Sequence, residues 1–254
     1  MSRRDTSPVD EALDRVASEG LALESDELTD WSRAYFAHAR RRHASDAQLI
    51  ARHATSAPIL EIGSLPCHFT LVLKELGYDV VGIDIDPGRA KSLIERNGLD
   101  VRRCDIEHER LPFSDGMFEL VLLIEVFEHL RINPLATLRE ITRVTKPGGK
   151  LILATPNLYS FARILRFLRG AGIDDPVKAW SKLDRLGHMG HVRVYTRANV
   201  CAMLRQTGLE PIELRYRSFE AWRPPRPTRL LLKAVHLLFP GMRPNQVVVA
   251  RKPP

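Results

Sequence analysis

The chain has 254 residues, of which 44% are hydrophobic and 27% charged, and a formal net charge of +7. This is the composition of an ordinary globular protein, long enough for one large α/β domain. The sequence contains neither an apolar run of the roughly 20 residues that span a bilayer nor, near its start, the apolar core of a secretion signal. Its three cysteines are far apart and form no CxxC pair, so we expect a cytoplasmic protein without disulfides.

The first 55 residues are predicted to form an N-terminal arm and a helical cap. Residues 1–30 are polar and acidic and predict a loose arm with one short helix. In residues 31–53 a few aromatic and aliphatic side chains stand among many arginines and histidines, which favours helices that pack in front of the first strand. We expect residues 56–254 to form the main domain.

Residues 59–87 have the pattern strand, glycine turn, amphipathic helix and strand. Gly63 directly follows the first strand, where the backbone must turn sharply or lie close to a ligand. The second strand ends at Asp84. An acid about twenty residues after the glycine turn is where nucleotide-binding βαβ units carry a ribose-binding carboxylate. The alternative is a purely structural βαβ unit with an incidental aspartate.

Strands and helices continue to alternate after this unit. A helix is predicted to begin at Asp86 and Pro87, as N-cap and first residue, and to end near Gly98. Apolar runs predict strands at residues 100–104, 119–124 and 151–154, and helical spacing predicts a helix at residues 134–145. The alternation predicts an α/β fold with a doubly wound, mostly parallel sheet and helices on both faces.

The pattern is less regular beyond Pro156. Residues 157–195 are predicted to form an insertion that contains a helix, and Thr196 is predicted to cap the next helix. Two further strands are predicted at 211–216 and 246–250, with an apolar helix at 230–239 between them. Residues 217–254 form a basic C-terminal segment, which suits nucleic acid, anionic lipid or an acidic substrate, but equally a solvated basic face.

Several motifs in this order resemble those of class I S-adenosylmethionine-dependent methyltransferases. EIGSLPC (61–67) resembles the glycine-rich cofactor loop, and GIDIDP (82–87) the second strand with its terminal acid. CDIEHERLPFSDGMFELVLLIEVFEHL (104–130) resembles the adenine-side motif and fourth strand, and REITRVTKPGGKLILATPN (139–157) the following helix, turn and fifth strand. The resemblance implies a Rossmann-like seven-stranded sheet with an antiparallel last strand, and S-adenosyl-L-methionine as cofactor.

The resemblance also implies roles for individual residues. Asp84 should bind the ribose hydroxyls, Asp105 should accept from the adenine amino group, and Glu125 should face the reacting end. The residues expected to bind the cofactor are Glu61, Gly63, Ser64, Asp84, Ile85, Asp105, Ile106 and Glu125. The chain departs from the family pattern at Leu65 and Cys67, where the loop usually carries glycines. A side chain at Leu65 should narrow the approach to the methionine part of the cofactor.

We expect transfer of the methyl group to a hydroxyl, which needs a general base or a metal. The candidate catalytic residues are Glu125, His129 and His191. The candidate ligands of a divalent metal (Mg²⁺, Mn²⁺ or Zn²⁺) are Glu125, Glu128, His129 and His188. Glu125, Glu128 and His129 have the spacing i, i+3, i+4, which places side chains on one face of a helical turn. This ExxEH motif is similar to that of the metal-dependent O-methyltransferases of ubiquinone biosynthesis and of the small-RNA 3′-end methyltransferases. In the latter a further histidine downstream completes the site, and His188 or His191 is the candidate for that part here. The main alternative is that His129 acts as a plain general base.

The acceptor is expected to be a small molecule, glycan or glycolipid. Its pocket is expected to be built by the N-terminal helices, residues 158–191 and the basic C-terminal segment. Methylation of an RNA 2′-hydroxyl is an alternative, although the sequence has no recognisable RNA-binding module. A catalytically silent, cofactor-binding scaffold is another. The helix at residues 229–239 combines an apolar stripe with flanking arginines, which suggests peripheral contact with a membrane surface. It also fits an ordinary helix packed on the edge of the sheet.

Overall fold

The computed structural model of the protein describes residues 7–19, 21–177, 180–181, 190–219 and 226–254. The strands of the sheet are, in chain order, β1 (Ile59–Ile62), β2 (Val80–Asp84), β3 (Asp100–Arg103), β4 (Phe118–Ile124), β5 (Thr145–Pro156), β6 (Glu210–Arg217) and β7 (Asn245–Arg251). The helices are α1 (Pro8–Ser18), α2 (Asp26–Ile50), α3 (His68–Glu75), α4 (Lys91–Arg96), α5 (Pro134–Val144), α6 (Phe161–Leu168), α7 (Arg197–Gln206) and α8 (Arg226–Leu238).

The seven strands form one sheet with the order β3-β2-β1-β4-β5-β7-β6. The β2 strand pairs in parallel with β1 and β3, whereas β7 is antiparallel to both β5 and β6. This confirms the predicted α/β fold with a mostly parallel, seven-stranded, Rossmann-like sheet. The strand order changes direction at β1 and β4, and open α/β sheets bind their ligands at such a switch point, outside the carboxyl ends of the strands.

Contacts within the chain define two compact units. One consists of Met1–Leu122 with Val144–Lys146, and the other of Leu123–Arg143 with Pro147–Pro254. Residues before β1 therefore belong to the same unit as β1, β2 and β3. The predicted division of the chain at residue 55 stays a prediction.

The N-terminal segment contains a packed helix rather than only a loose arm. The Ser7 side chain caps α1 by accepting from the Asp10 N–H, and Pro8 lies in the first turn. Ala12, Leu13 and Val16 lie on one side of this helix and are buried. The Arg15 side chain donates to Glu75 of α3 at 2.6 Å, so α1 is fixed to the helix that follows the glycine turn.

Two predicted element boundaries differ from the observed ones. The helix predicted from Asp86 begins as a 3-10 helix at Pro87–Ala90, and the Asp86 side chain forms no capping bond. Strand β5 begins at Thr145 and includes the Pro-Gly-Gly stretch that we predicted as a turn. Backbone bonds from Gly148 N–H to Lys252 and from Lys252 N–H to Gly149 hold this stretch beside the residues after β7.

The helix α7 begins as predicted. The Thr196 hydroxyl accepts from the Asn199 N–H, and the Asn199 side chain accepts from the Thr196 N–H, which is a reciprocal capping box. None of the helices within the described ranges is long and apolar enough to cross a bilayer. The three cysteines are free and buried.

Candidate functional site

The turn after β1 is held against the end of β2. Gly63 has φ +74°, in the left-handed region that favours glycine. The N–H groups of Gly63 and Ser64 both donate to the carbonyl of Ile83, at 2.8 and 3.2 Å. These two hydrogen bonds hold the predicted cofactor loop beside the last residues of β2.

Asp84 is the carboxylate around which this loop is arranged. Its Oδ2 accepts from the Leu65 N–H at 3.0 Å, and its Oδ1 accepts from the Asp86 N–H at 3.1 Å. Burial raises the pKa of Asp84, and the backbone hydrogen bonds oppose that shift. Each carboxylate oxygen can accept more than one hydrogen bond, so the two oxygens are oriented by the backbone and can still accept from a pair of vicinal hydroxyls.

The departure from the glycine pattern has different consequences at its two positions. Leu65 does not have a positive φ, so its backbone conformation does not require glycine, and its N–H reaches Asp84 as a glycine N–H would. Cys67 has φ +64° at the start of α3, which costs a non-glycine residue roughly 1–2 kcal/mol. The strain caused by the missing glycines is therefore at Cys67.

A close approach between strand and loop occurs at Gly82. A Cβ atom at this position would lie 2.9 Å from Ser64 Oγ and 3.1 Å from Val101 Cγ2. Any side chain at residue 82 would thus displace the cofactor loop from β2 or separate β2 from β3. This requirement was not predicted from the sequence, in which the local signal is a glycine inside an apolar strand.

Glu61 is a buried acid at the end of β1. Its Oε2 accepts from the Thr70 hydroxyl at 2.6 Å. Burial raises the pKa of Glu61 to about 8, with the Thr70 hydrogen bond opposing and the Asp84 charge adding to the shift. A buried carboxyl with such a pKa can exchange a proton near neutrality, and it becomes an anion when a cationic group lies beside it.

Asp105 already has hydrogen bonds within its own turn. Its Oδ1 accepts from the Glu107 N–H at 3.0 Å, and its Oδ2 lies 2.8 Å from His108 Nδ1. Burial acts to raise the pKa of Asp105, but the bonds from His108 and Glu107 outweigh it, so the pKa is lowered. Its predicted contact with the adenine amino group stays a prediction. The turn fixes a charged carboxylate after β3, and His108 is a partner that we did not predict.

Ile85 is an exposed aliphatic residue directly after Asp84. Its side chain is 53% exposed, although the strand residues that precede it are largely buried. An apolar side chain left exposed beside a fixed carboxylate suits contact with a flat ring such as adenine. Ile106 is half-buried beside Asp105. The predicted contacts of both residues with the cofactor stay predictions.

In the second unit, the chain turns sharply after β4. Glu125 has φ +58°, and its N–H donates to the Ala154 carbonyl of β5 at 2.8 Å. The turn at Phe127–His129 that follows is a 3-10 helix. The prediction that Glu125, Glu128 and His129 share one face of an α-helical turn is therefore wrong, because the helical turn does not extend back to Glu125.

Glu128 is fully buried and connects three parts of this unit. Its Oε2 accepts from the Thr155 hydroxyl of β5 at 2.9 Å. Its main-chain carbonyl accepts from the N–H groups of Val192 and Arg193, at 2.9 and 3.2 Å. The second pair of bonds places the segment that carries His191 directly against the turn that carries Glu128.

Two histidines lie beside the Glu128 carboxylate. Oε1 of Glu128 is 4.0 Å from His129 Nε2 and 3.9 Å from His191 Nε2. The two imidazole rings meet edge to face with 5.3 Å between centroids, and their side chains are 34% and 33% exposed. The three ligand atoms lie within 4.8 Å of one another. Two imidazoles and one carboxylate thus converge where solvent reaches the imidazoles.

The tautomer of His129 is set by its second nitrogen. Nδ1 of His129 lies 3.1 Å from the Gly190 carbonyl. A carbonyl only accepts, so Nδ1 carries the proton and Nε2 of the neutral ring keeps its lone pair. His129 therefore presents a base, or a metal-binding nitrogen, towards Glu128 and His191.

The structure does not bring together the whole predicted metal set. In the parts of the chain that it describes, the cluster that could hold a metal contains Glu128, His129 and His191, but not Glu125. His188, a predicted ligand, lies outside the described residues. Thr155 and Gly190, which orient Glu128 and His129, were missed because a threonine in a strand and a loop glycine carry no signal of their own.

Comparison with known proteins matches the central part of the chain to a described family. Residues 60–153 match the family model "Methyltransferase domain". The chain is 32% identical over 158 residues to the ubiquinone biosynthesis O-methyltransferase of Ruegeria pomeroyi, and the aligned part is 61% of this chain and 60% of that protein. It is 34% identical over 146 residues to the demethylmenaquinone methyltransferase of Thermus thermophilus, and the aligned part is 51% of this chain and 64% of that protein. The chain thus spans about three fifths of the length of the curated relatives it matches.

A solved structure supports the assignment of the fold. A SAM-dependent methyltransferase from Archaeoglobus fulgidus superimposes with a TM-score of 0.60 over 86% of this chain and 99% of its own. The two sequences are 15% identical, so this similarity concerns the fold alone.

Proposed function

We propose that this chain, a member of the class I S-adenosylmethionine-dependent methyltransferase family, transfers a methyl group from S-adenosyl-L-methionine to a hydroxyl group. The acceptor is a small molecule, glycan or glycolipid. The observation that carries the choice of a hydroxyl is the cluster of Glu128, His129 and His191, in which Nε2 of His129, the ring nitrogen opposite the protonated Nδ1, lies beside a buried carboxylate.

The cofactor is proposed to bind through the loop and strand ends of the first unit. Asp84 accepts from the two ribose hydroxyls, since its oxygens are already aimed by the Leu65 and Asp86 N–H groups. Ile85 contacts the adenine ring, and Asp105 receives its amino group. Glu61 and Gly63 border the methionine part, where the raised pKa of Glu61 lets it become a carboxylate as the ammonium group arrives.

The reaction needs alignment and one proton transfer. When bound, the cofactor would supply an activated methyl group to the acceptor oxygen in line with the carbon–sulfur bond, and its sulfur would keep the electron pair of that bond. The hydroxyl proton passes to Nε2 of His129 as the carbon–oxygen bond forms. The Glu128 carboxylate stabilises the resulting imidazolium, because an opposite charge within about 4–6 Å favours the charged form.

The same three side chains also fit a divalent metal in part. Two imidazoles and a carboxylate suit Zn²⁺ best, and they suit Mg²⁺ least, because Mg²⁺ prefers oxygen ligands. Tetrahedral coordination at about 2.1 Å needs ligand atoms about 3.4 Å apart, so the separations of 3.9 and 4.0 Å must shorten by roughly half an ångström. A bound ion would lower the pKa of the acceptor hydroxyl. With or without the ion, Glu128 and the two histidines would orient the acceptor oxygen.

The experiment has two stages. Calorimetric titration with S-adenosyl-L-homocysteine should show one site per chain, and binding should raise the melting temperature. Incubation with methyl-labelled cofactor and pooled hydroxyl-bearing metabolites, glycans and RNA should then label an acceptor of the first two kinds. Loss of label in His129→Ala, with unchanged calorimetric affinity, supports the catalytic assignment. A chain that binds the product but labels nothing in any pool fits the silent scaffold, and labelled RNA fits the rival 2′-O-methyltransferase.

A further inference from the structure

Helix α8 is apolar on two opposite sides. Leu232 and His236, four residues apart, are buried, and the Ser218 hydroxyl lies 3.1 Å from His236 Nδ1. On the outward side, Leu237 and Leu238 are 76% and 71% exposed. Leu230 precedes Leu237 and Leu238 by seven and eight residues, which is about two helical turns, so it lies on the same outward side of the helix. An ordinary packed surface helix would be polar there.

Helix α6 has the same character. None of its residues is fully buried, and Phe167 and Leu168 at its end are 65% and 74% exposed. Arg166 is exposed beside them. This helix therefore exposes both apolar and cationic side chains to solvent.

Asn157 ties the start of α6 to the turn that follows α8. Its side-chain Nδ2 donates to the carbonyls of Gly241 and Arg243, at 2.7 and 2.8 Å. Its own carbonyl accepts from Arg163 of α6 at 3.1 Å. The exposed apolar groups of the two helices thus belong to one connected part of the second unit. We call them the α6/α8 surface, which comprises Phe167, Leu168, Leu230, Leu231, Leu237 and Leu238.

The charge on these two helices is mainly positive, and the acid that contacts α6, Asp174, is paired with Arg163 at 3.3 Å. The sequence contains no aspartate or glutamate from residue 141 to residue 173, and none after Glu220. In the same two stretches Arg166, Arg169, Arg229 and Lys233 are exposed. Exposed leucines and a phenylalanine beside exposed arginines and a lysine complement a surface that is apolar below and anionic above, which is the interface of an anionic lipid bilayer.

We propose that the α6/α8 surface docks this protein on the surface of anionic membranes. The helices lie in the interfacial plane, with their leucines among the acyl chains and Arg229, Lys233 and Arg166 at the level of the lipid phosphates. Peripheral docking is the geometry that fits, since neither helix is long and apolar enough to span a bilayer.

The test is sedimentation of the full chain with vesicles, which needs neither cofactor nor acceptor and so is independent of the proposed methyl transfer. We expect the protein to pellet with vesicles of equal parts phosphatidylcholine and phosphatidylglycerol at low salt, and much less with phosphatidylcholine alone. The Leu237→Gln/Leu238→Gln variant and the Phe167→Gln/Leu168→Gln variant should each lower the partition coefficient at least ten-fold. The Arg229→Gln/Lys233→Gln variant should lower it by about five-fold for each cation lost.

Matched controls separate docking from general stickiness. Ile212 and Leu214 of β6 are also exposed, so Ile212→Gln/Leu214→Gln should pellet like the unmodified protein, as should Lys91→Gln/Arg205→Gln. No pelleting on anionic vesicles at low salt overturns the proposal, as does equal pelleting of all variants. A dimer seen by light scattering that the Leu237→Gln/Leu238→Gln variant abolishes, without vesicle binding, would assign the surface to a second copy of the chain instead.

Discussion

The hydroxyl of Thr155 donates to Oε2 of Glu128 at 2.9 Å, across 27 residues of sequence. This bond joins the end of β5 to the turn after β4. It fixes one carboxylate oxygen, so that the other, Oε1, faces Nε2 of both His129 and His191. A single buried threonine thus determines the direction in which the cluster's only carboxylate points.

The first prediction concerns Thr155. Thr155→Val keeps the volume but removes the donor, so a buried carboxylate loses a hydrogen bond, and the free energy of unfolding should fall by about 1–3 kcal/mol. Methyl transfer should fall as well, with cofactor affinity unchanged by calorimetry. Thr207→Val is the control, since its hydroxyl bonds only to carbonyls of its own helix, and it should retain full activity. Full activity of Thr155→Val would show that Glu128 does not need this bond.

The second prediction concerns Asp84. Asp84→Asn should weaken binding of S-adenosyl-L-homocysteine by about 10- to 100-fold, which corresponds to a hydrogen bond to a charged group worth roughly 1.5–3 kcal/mol. Asp86→Asn, two residues further along, changes an exposed acid and is the matched control. Equal affinities for the two variants, measured by calorimetry, would remove Asp84 from the ribose site.

The third prediction is a pH dependence caused by Glu61. The folded protein holds the Glu61 proton more tightly than the unfolded chain does, because the pKa rises from 4.5 to about 8. This contribution to stability is complete below pH 4.5 and is lost as the pH rises to about 8. Glu61→Gln cannot lose the proton. Relative to the unmodified protein it should gain roughly 2–4 kcal/mol between pH 5 and pH 8.

Denaturant unfolding without cofactor, at several pH values from 5 to 9, measures this difference. Glu95 is an exposed acid, and Glu95→Gln should follow the unmodified protein throughout that range. A Glu61→Gln curve parallel to that of the unmodified protein would mean that Glu61 is already charged when the protein is folded.

The fourth prediction uses the left-handed conformation of Cys67. Both Cys67→Ala and Cys67→Gly remove the buried thiol, but only glycine relieves the positive φ. Cys67→Gly should therefore be about 1 kcal/mol more stable than Cys67→Ala. Cys201 lies within α7. There Cys201→Ala should be about 1 kcal/mol more stable than Cys201→Gly, because glycine disfavours the helix. Thermal or denaturant unfolding of the four variants checks both signs.

The fifth prediction separates a general base from a metal. If His129 acts as a base, exhaustive chelation should leave methyl transfer unchanged, His129→Ala should be inactive, and the activity should fall at low pH as the imidazole protonates. Loss of activity in chelator, restored by one divalent ion and sensitive to both Glu128→Gln and His191→Ala, would identify a metal site instead. Metal binding by the protein alone, followed by calorimetry, gives a readout independent of the acceptor.

Much of the fold follows from local sequence. The apolar runs and the glycine turn between them predicted β1 and β2 correctly, with Asp84 as the last residue of β2, since period, length and turn chemistry all act within a few residues. The capping residue Thr196 was predicted for the same reason. The Pro-Gly-Gly stretch was misread, because its extended form depends on bonds to Lys252, about a hundred residues away in sequence.

The candidate site was predictable in type more than in arrangement. The structure brings together Glu128, His129 and His191, all three of which were candidate site residues, and their roles stay predictions. Their geometry, however, was inferred from an α-helical turn. The actual turn is a 3-10 helix that follows a left-handed Glu125, which removes Glu125 from the cluster. The bond from Thr155 and the carbonyl of Gly190 depend on tertiary placement, which local pattern does not encode.

The main-chain carbonyl of Glu128 also has a consequence for how such a site can change over evolutionary time. The segment that carries His191 is held by backbone hydrogen bonds from Val192 and Arg193 to the carbonyl of residue 128. These bonds do not depend on which side chain residue 128 carries. A lineage can therefore exchange the carboxylate for a neutral or a smaller group and keep the histidine segment in its place. The side chain at residue 128 can therefore change during evolution without a change in the backbone of the segment that carries His191.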